Sequence, residues 1–417
     1  MKTSRQPVSS VLRRTLTWLA KTAAAIAVVV IAFVAILLFI MWRGHQTGIT
    51  LPTPTGPFAV GRATYAWTNE AETEELAISP GSKRQVLVWV WYPATGSQPR
   101  VPTEYLPARW RAALAERQGV FMRSFFKRDP ALVHTHSLSD AMVSPEQRTY
   151  PVVLLRAGGS ALTTDFTTLA EDLASHGFFV VGFDAPYRSF VVVLPDGRVR
   201  ARSPSYNVEN ANGNLADPII SKLLAMWTSD TTFVVDQLQR LNDDSTEKLA
   251  GRMDLQRLGM FGHSFGGATA LEFCHQDSRC RAAVDIDGIP FGRVVPEGLS
   301  KPGMFLLSDH SGEMTDPASR PVLAEIQSIY DRLPAGRLYL VIRRANHFSF
   351  SDQILLNSQA AMGLLRLVGF GGLDGRRGLA ISADCVHTFF DVYLNGAPAA
   401  AITRLTGKYE EIDVKGR

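Results

Sequence analysis

The chain has 417 residues, 20% of them charged, and a formal net charge of +4. This length permits one large α/β domain or two smaller ones, with a substantial core. Acidic and basic residues are interspersed through most of the chain, which disfavours a nucleic-acid-binding protein. Before residue 22, however, five basic residues occur and no acidic one: Lys2, Arg5, Arg13, Arg14 and Lys21.

The first predicted element is a transmembrane helix at residues 22–42. These residues carry no charge and are rich in Ala, Val and Ile, and as a helix they would cross about 30 Å of hydrocarbon. No small-x-small cleavage site follows Trp42, which favours an uncleaved signal-anchor over a signal peptide. The basic segment 1–21 should stay in the cytoplasm. We therefore expect a single-pass inner-membrane protein with an extracytoplasmic, periplasmic catalytic domain.

Residues 43–58 are rich in Pro and Gly, and predict a stiff, extended tether between the membrane and a catalytic domain at 59–410. In that domain, Val60–Trp67 and Gln85–Tyr92 predict an antiparallel strand pair near one edge of a sheet.

Segment 105–142 interrupts this pattern. A helix is predicted over 107–117, and aromatic and cationic residues are mixed at 121–128. Three interpretations of residues 121–128 of this cap-like segment stay open: a cover over the active site, a contact with lipid headgroups, and an ordinary surface helix packed inward.

From Pro151 onwards strands and helices alternate regularly, which predicts an α/β protein with a mostly parallel sheet and helices on both faces. The predicted strands are 152–155, 178–183, 258–261, 282–286, 304–307 and 338–342, with a hairpin at 190–202. The predicted helices run to 175 from Thr163 or Thr164, from 218 to about 241, from about 317 to Pro334 and from about 381 to 394.

A Gly-x-Ser-x-Gly motif lies at residues 262–266, between an apolar strand and a predicted helix. At such a turn the serine occupies strained backbone space, so the residues two before and two after it must be almost without side chain. Gly262 and Gly266 meet that requirement. Ser264 is therefore the predicted nucleophile, and the amide of Phe265, at the helix start, is a predicted oxyanion donor. The alternative is a glycine-rich loop that only packs a helix on a strand.

A serine hydroxyl needs a base, and the base needs an acid that orients it. His347 follows the last predicted parallel strand, which gives the order serine, acid, histidine of a triad on such a sheet. His263 is expected to point to the other side of the serine turn, and His310 follows an earlier strand. The remaining histidines lie beside the membrane or in predicted loops and helices, and are interpreted as structural: His45, His134, His136, His176, His275 and His387.

Two aspartates end neighbouring strands and could orient His347. Asp287 ends the strand that follows the serine's helix, and Asp309 ends the next strand along the chain. Asp285 lies two residues deeper in its strand and is expected to be structural. The residues alone leave Asp287 and Asp309 as alternatives.

The three cysteines fit an extracytoplasmic domain without defining one. Cys274 and Cys280 either close a small disulfide loop or are buried thiols, and Cys385 is left over. No spacing of cysteine or histidine predicts a metal site, and we expect no metal and no cofactor.

Six segments together resemble a known family: 51–61, 91–93, 172–178, 262–269, 285–288 and 389–396. They are similar to motifs of the platelet-activating factor acetylhydrolase family, in the α/β-hydrolase superfamily, and the resemblance covers about residues 50–410. It implies an α/β-hydrolase fold and a secreted or membrane-associated, metal-independent esterase. The implied substrates are phospholipids or related esters with short or oxidised acyl chains.

The resemblance also implies residue roles. The acid of the family corresponds to Asp287, which favours it over Asp309, and the oxyanion donors correspond to the amides of Phe265 and Gly159. The family usually has Ser-His-Gly-x-Gly in the oxyanion loop, whereas Ala157 replaces the histidine here. A backbone donor can survive this change, while the shape of the site need not. Arg156 is expected to be solvated, with attraction of an anionic headgroup as the alternative.

The sequence therefore predicts a serine carboxylic ester hydrolase that uses Ser264, His347 and Asp287 and passes through an acyl-enzyme. Hydrolysis of polyesters, cutin-like esters or lactones would use the same triad and stays an alternative. A membrane-tethered binding protein on a disabled hydrolase fold is the non-enzymatic alternative.

Overall fold

The computed structural model describes residues 8–77, 79–96, 101–159, 161–208, 217–309, 320–334, 337–359, 363 and 372–415. Its strands are β1 Ile49–Thr50, β2 Ala59–Thr73, β3 Lys83–Ala94, β4 Pro102–Glu104, β5 Val133–Ser139, β6 Tyr150–Arg156, β7 Phe179–Asp184, β8 Val191–Val193, β9 Val199–Ala201, β10 Met253–His263, β11 Cys280–Ile286, β12 Gly303–Leu307, β13 Leu338–Ile342 and β14 Ile412–Val414.

The α-helices of the described residues are α1 Val8–His45, α2 Ala108–Phe125, α3 Thr167–Ser175, α4 Pro218–Asp243, α5 Phe265–Gln276, α6 Val294–Glu297, α7 Arg320–Arg332, α8 Gln353–Leu356, α9 Gly375–Asn395 and α10 Ala400–Lys408.

Twelve of the described strands form one sheet in the order β1-β5-β2-β3-β7-β6-β10-β11-β12-β13-β14, with β4 paired to β5. The six strands from β7 to β13 in this order are parallel to one another. The predicted pair β2 and β3 is antiparallel and lies towards one edge, and β8 and β9 form the predicted hairpin. The mostly parallel sheet expected from the sequence is confirmed.

Helices cover both faces of this sheet, as predicted. Side chains of the parallel strands alternate between two apolar cores: Phe261 packs with α3 and α9 on one face, and Met260 packs with α4, α5 and α7 on the other. This alternation is the period of a strand. It explains why the central strands are apolar along their whole length.

The ends of several elements differ from the sequence predictions. A 3₁₀ turn at Thr163–Phe166 precedes α3, which begins only at Thr167. Helix α9 begins at Gly375, where the Asp374 side chain accepts from the Arg377 amide, well before the predicted start. Helix α10 and strand β14, which pairs antiparallel with β13, were not predicted. The predicted start of α7 near residue 317 lies outside the described residues.

Helix α1 includes the predicted transmembrane segment and extends towards the N-terminus beyond it. It is long and apolar enough to cross a membrane, and its side chains are almost entirely exposed. A signal sequence near the N-terminus can also be long and apolar enough to meet this criterion. Membrane topology therefore stays a prediction.

The proline-rich segment after α1 is extended, as predicted, but it is fastened to the domain. The Thr55 amide donates to Asp172 Oδ1 (2.8 Å), and the Gly56 amide donates to Ser175 Oγ (2.9 Å). A Cβ on Gly56 would lie 2.1 Å from the Ser175 carbonyl oxygen, so only glycine allows this close approach. The segment is therefore packed against α3 and is not a free spacer.

The cap-like segment has two parts. Before Gly119, α2 packs inward through Trp110 and Ala113, as an ordinary surface helix does. Gly119 has a φ of 74° and interrupts the helix. Beyond it, Val120, Phe121 and Met122 are 72%, 59% and 41% exposed. The inward-packed interpretation of residues 121–128 therefore does not hold for Phe121 and Met122.

Cys274 and Cys280 form a disulfide between the end of α5 and the start of β11. Cys385 is a buried free thiol on α9. Of the two alternatives left by the sequence, the structure has the disulfide.

Candidate active site

The centre of the candidate site is the turn between β10 and α5. Ser264 has φ 56° and ψ −126°, which is strained for a residue with a side chain. A Cβ on Gly262 would lie 2.0 Å from the Gly266 carbonyl oxygen, and a Cβ on Gly266 would lie 2.1 Å from the Arg156 carbonyl oxygen. Both positions must therefore be glycine for the turn to form, as the sequence predicted.

The amide of Phe265 lies at the first position of α5. The first intrahelical hydrogen bonds of α5 run from the amides of Gly267 and Ala268 to the Ser264 carbonyl (2.8 and 3.2 Å). The Phe265 amide precedes these bonds and belongs to the unpaired N-terminal donors of a helix. Such an amide, at the positive end of the helix dipole, can stabilise a negative oxygen.

The loop after β6 approaches the serine closely. A Cβ on Gly158 would lie 3.1 Å from Ser264 Cβ and 3.3 Å from His263 Nδ1. A Cβ on the next residue, Gly159, would lie 2.8 Å from Val208 Cγ2, and the Gly159 carbonyl accepts a hydrogen bond from Arg202 (3.2 Å). The predicted second oxyanion donor thus belongs to a loop that borders Ser264.

His347 and Asp287 are joined directly. His347 Nδ1 lies 2.8 Å from Asp287 Oδ2, and the carboxylate is 1% exposed whereas the imidazole is 42% exposed. Ser308 also donates to this carboxylate, through its amide to Oδ1 (2.7 Å) and its hydroxyl to Oδ2 (2.9 Å). Three donors therefore fix the carboxylate, which in turn orients the imidazole.

The structure brings Ser264 and His347 to the same edge of the sheet, at the carboxyl ends of β10 and β13. Among the hydrogen bonds of the described residues, none joins the Ser264 hydroxyl to His347. Nucleophile and base are often this loosely arranged without substrate and tighten when it binds. The pairing of Ser264 with His347 therefore stays a prediction.

The alternative acids have other contacts. Asp309 Oδ2 accepts from the Arg344 amide (2.9 Å), so this carboxylate is used in the turn before His347. Asp285 is fully buried and accepts from the Gly288 amide (2.9 Å), which agrees with a structural role. The alternative base His310 lies outside the described residues.

The prediction for His263 was wrong. Its imidazole faces His347: Nε2 donates to the His347 carbonyl (2.7 Å), and the two ring centroids are 4.4 Å apart. Burial, with a smaller contribution from His347, lowers the pKa of His263 to about 3. His263 is thus a neutral donor that holds the backbone of His347. Its position beside Ser264 was the only signal in the sequence.

The prediction for Arg156 was also wrong, because its side chain is fully buried and is neither solvated nor open to a headgroup. The guanidinium stacks on Trp227, 3.9 Å from the ring centroid, and donates to the Phe183 carbonyl (3.0 Å). Burial lowers its pKa to about 10. Ala157 is fully buried too. Arg156 therefore has a structural role, in which it packs against Trp227 beneath the candidate site.

An apolar wall borders the serine turn. Phe265 packs edge-on against Trp227, with ring centroids 4.9 Å apart, and lies 6.0 Å from Phe291. Val208 and Tyr206 pack against the same cluster. No motif in the sequence predicts this wall, because its members come from α4, from α5 and from separate loops.

The chain is similar to known proteins in sequence and in fold. The model of the family described as platelet-activating factor acetylhydrolase, isoform II, matches residues 43–192 and 228–395, which is most of the chain. The chain belongs to this family. A solved structure of a ferulic acid esterase from Streptomyces cinnamoneus is similar in fold to this chain. Its TM-score is 0.71 and its sequence identity is 25%. That match covers 89% of this chain and 100% of the esterase.

Curated relatives of this family member are esterases too. A probable 1-alkyl-2-acetylglycerophosphocholine esterase of Arthroderma benhamiae is 24% identical over 63% of this chain and 65% of its own length. The platelet-activating factor acetylhydrolase of Cavia porcellus is 24% identical over 53% of this chain and 52% of its own length. Cutinase est1 of Thermobifida alba is 21% identical over 49% of this chain and 55% of its own length. The chain thus spans about half to two thirds of these relatives.

Proposed function

We propose that this family member is a serine carboxylic ester hydrolase. The observation that carries the proposal is the 2.8 Å contact between His347 Nδ1 and Asp287 Oδ2 at the sheet edge that also holds the strained Ser264 turn. Family membership and the esterase relatives support the same reaction class.

In the proposed reaction, His347 Nε2 takes the proton of the Ser264 hydroxyl as the oxygen attacks the ester carbonyl. Asp287 accepts from Nδ1–H, keeps the required tautomer and stabilises the imidazolium. The same proton then passes to the leaving alcohol, and an acyl-enzyme remains. A water molecule, activated by His347, repeats the steps and releases the acid.

The amides of Phe265 and Gly159 are the proposed donors to the tetrahedral oxyanion. Loss of one such donor typically costs about 3 to 4 kcal/mol of transition-state stabilisation, or roughly a hundredfold to a thousandfold in rate. Gly158 supports this assignment, because its missing side chain lets the loop approach Ser264 closely.

The proposed substrates are phospholipids or related lipid esters with short or oxidised acyl chains. The apolar wall of Phe265, Trp227 and Phe291 supports an apolar acyl group next to Ser264. Two of the relatives are named for acetyl ester hydrolysis on glycerophosphocholine or platelet-activating factor. We further propose the layout inferred from the sequence, with α1 as a membrane anchor, a cytoplasmic N-terminus and the hydrolase domain outside.

A cutinase-like or polyester hydrolase is a second candidate, because a cutinase and a bis(hydroxyethyl) terephthalate hydrolase are among the relatives. The test is the kcat/KM of the detergent-purified full chain on a 2-acetyl phospholipid, a long-chain phospholipid and a terephthalate ester, with Ser264→Ala as control. We expect the 2-acetyl phospholipid to be preferred at least about tenfold, which corresponds to about 1.4 kcal/mol in the barrier. Preference for the terephthalate ester would favour the second candidate. Folded protein that hydrolyses none of these esters would favour the non-enzymatic alternative.

A further inference from the structure

A second cluster of ligand-type side chains lies apart from Ser264, between α3 and α9. The Asp172 cluster consists of Asp172, His176 and His387. Asp172 Oδ2 lies 3.6 Å from His387 Nδ1 and 3.9 Å from His176 Nε2, and all three atoms are within 4.8 Å of one another. Asp172 and His176 are four residues apart, whereas His387 comes from a distant part of the sequence, so spacing alone could not predict the three as a set.

The carboxylate of Asp172 is held in one orientation. Its Oδ1 accepts from the Thr55 amide and from the Thr55 hydroxyl, both at 2.8 Å. The other oxygen, Oδ2, therefore faces the two imidazoles. Since Thr55 uses its only hydroxyl proton in this bond, the 2.9 Å contact between its oxygen and His176 Nε2 makes Nε2 the donor there.

Two atoms of the cluster lack hydrogen-bond partners. Asp172 Oδ2 and His387 Nδ1 are both buried, and neither has a hydrogen-bond partner among the described residues. Asp172 as a whole is 3% exposed. At 3.6 Å the two atoms are too far apart for a hydrogen bond. His387 Nδ1 also lies 3.7 Å from Asp384 Oδ1, which is again beyond hydrogen-bonding distance. A buried acceptor without a hydrogen bond costs free energy of folding, and a bound ion is one of the ordinary explanations of such an atom.

We propose that the Asp172 cluster binds a divalent transition-metal ion of the zinc class. Two imidazole nitrogens and one carboxylate oxygen are a usual ligand set for zinc, with a water molecule completing four-coordination. With metal–ligand bonds of about 2.1 Å, tetrahedral ligand atoms lie about 3.4 Å apart. The 3.6 and 3.9 Å separations from Asp172 Oδ2 are a few tenths of an ångström longer than this, and the two imidazole nitrogens lie within 4.8 Å of each other.

Binding of the ion requires the imidazole side chains to rearrange. The imidazoles of His176 and His387 are stacked, with centroids 3.9 Å apart and planes at 9°. A metal ion lies in the plane of each ring that binds it, so one ring must turn about its Cβ–Cγ bond. His176 also exchanges its contact with Thr55 for the ion, and its proton moves from Nε2 to Nδ1 so that Nε2 can bind the metal. Thr55 keeps its two hydrogen bonds to Asp172 Oδ1 and orients the carboxylate.

The ion would link three parts of the chain. Asp172 lies on α3, His176 directly follows α3, and His387 lies on α9. Thr55 adds the extended segment that follows α1. The ion would therefore fasten this segment and α9 to α3. Its role would be to stabilise the fold and not to take part in ester hydrolysis.

The test uses the full chain, purified in detergent, treated with EDTA and then dialysed. Zinc chloride is titrated calorimetrically, bound zinc is counted by mass spectrometry after gel filtration, and cobalt(II) is added separately for its visible absorption. We expect one zinc per chain, a higher Tm with zinc and the intense cobalt spectrum of a four-coordinate site. Folded wild-type protein that retains no zinc and shows no cobalt spectrum would overturn the proposal.

Two ligand variants, His387→Gln and His176→Gln, assign the site. Each should lower zinc affinity at least about tenfold, since even residues that only orient a ligand contribute tenfold to a hundredfold. The matched control is His275→Gln, because His275 also contacts a carboxylate, with Nε2 3.0 Å from Glu297 Oε2. Zinc affinity unchanged in both folded ligand variants, or lost in His275→Gln, would assign the ion to another place. Circular dichroism of each variant shows that it is folded.

Discussion

The proposed role of Asp287 can be tested by a single-atom change, Asp287→Asn. The Ser308 amide donates to Oδ1 of the carboxylate at 2.7 Å, and a backbone amide can act only as a donor. The asparagine oxygen must therefore keep that place, which turns the new NH₂ group towards His347 Nδ1. Nδ1 would then have to accept a hydrogen bond, and its proton would move to Nε2.

An imidazole with its proton on Nε2 cannot take the proton of Ser264. In a triad with this geometry the wrong tautomer lowers kcat by about 10⁴, which is about 5.5 kcal/mol. We expect a loss of this order for Asp287→Asn, measured as kcat on a soluble aryl ester, with an unchanged circular dichroism spectrum.

The control is Asp309→Asn. Asp309 Oδ2 accepts from the Arg344 amide, and an asparagine oxygen can replace it, so we expect less than about a tenfold change because a single neutral hydrogen bond contributes about 1 kcal/mol. A large loss in Asp309→Asn together with near-normal activity in Asp287→Asn would refute the reasoning and move the acid to the next strand.

Because burial lowers the pKa of His263 to about 3, the unfolded chain below pH 6.5 binds a proton here that the folded chain does not. The free energy of unfolding should fall as the pH drops from 6.5 towards 3, and His263→Gln should reduce this slope by about 1.4 kcal/mol per pH unit in urea titrations; an unchanged slope would contradict the burial argument. Replacing Cys274 and Cys280 together by alanine should lower the free energy of unfolding by about 2 kcal/mol, because the disulfide closes only a short loop. Equal stability of this variant and the oxidised wild type would contradict a stabilising role of the disulfide. An alkaline phosphatase fused after Arg417 should be active only outside the cytoplasm, and cytoplasmic activity of a cytosolic reporter there would reverse the proposed orientation.

The parallel part of the fold was accessible from the sequence because each central strand is an apolar run between a helix and a polar turn. The serine turn was accessible for a different reason. Gly262 and Gly266 lie where any Cβ would overlap a backbone oxygen, so the turn leaves a direct mark in the sequence. Asp287 and His347 follow strands that end at the same edge of the sheet, which strand order alone indicates.

Side-chain direction was not accessible in the same way. Arg156 was expected to be solvated because arginine usually keeps its charge in water, yet Trp227 and Phe183 provide aromatic faces for it. Those partners come from α4 and β7. His263 was misplaced because a turn with positive φ does not keep the side-chain alternation of a regular strand.

The sequence also did not predict the packing of the segments that flank the central domain. The extended segment around Thr55 reads as a spacer by composition, and only the hydrogen bonds to Asp172 and Ser175 show that it is packed. Helix α10 and strand β14 were missed because short elements carry little periodicity. The Asp172 cluster was missed for another reason, because tertiary packing brings His387 on α9 to Asp172 and His176 at α3.

The proposed reaction depends on the reactivity of Ser264, and this can be measured directly. A fluorophosphonate probe added to the purified full chain should form a covalent adduct, and peptide mapping by mass spectrometry should locate it on Ser264. Ser264→Ala should not be labelled, and His347→Ala should be labelled far more slowly because the serine loses its base. An adduct on another residue, or labelling that persists in Ser264→Ala, would contradict the assignment of the nucleophile.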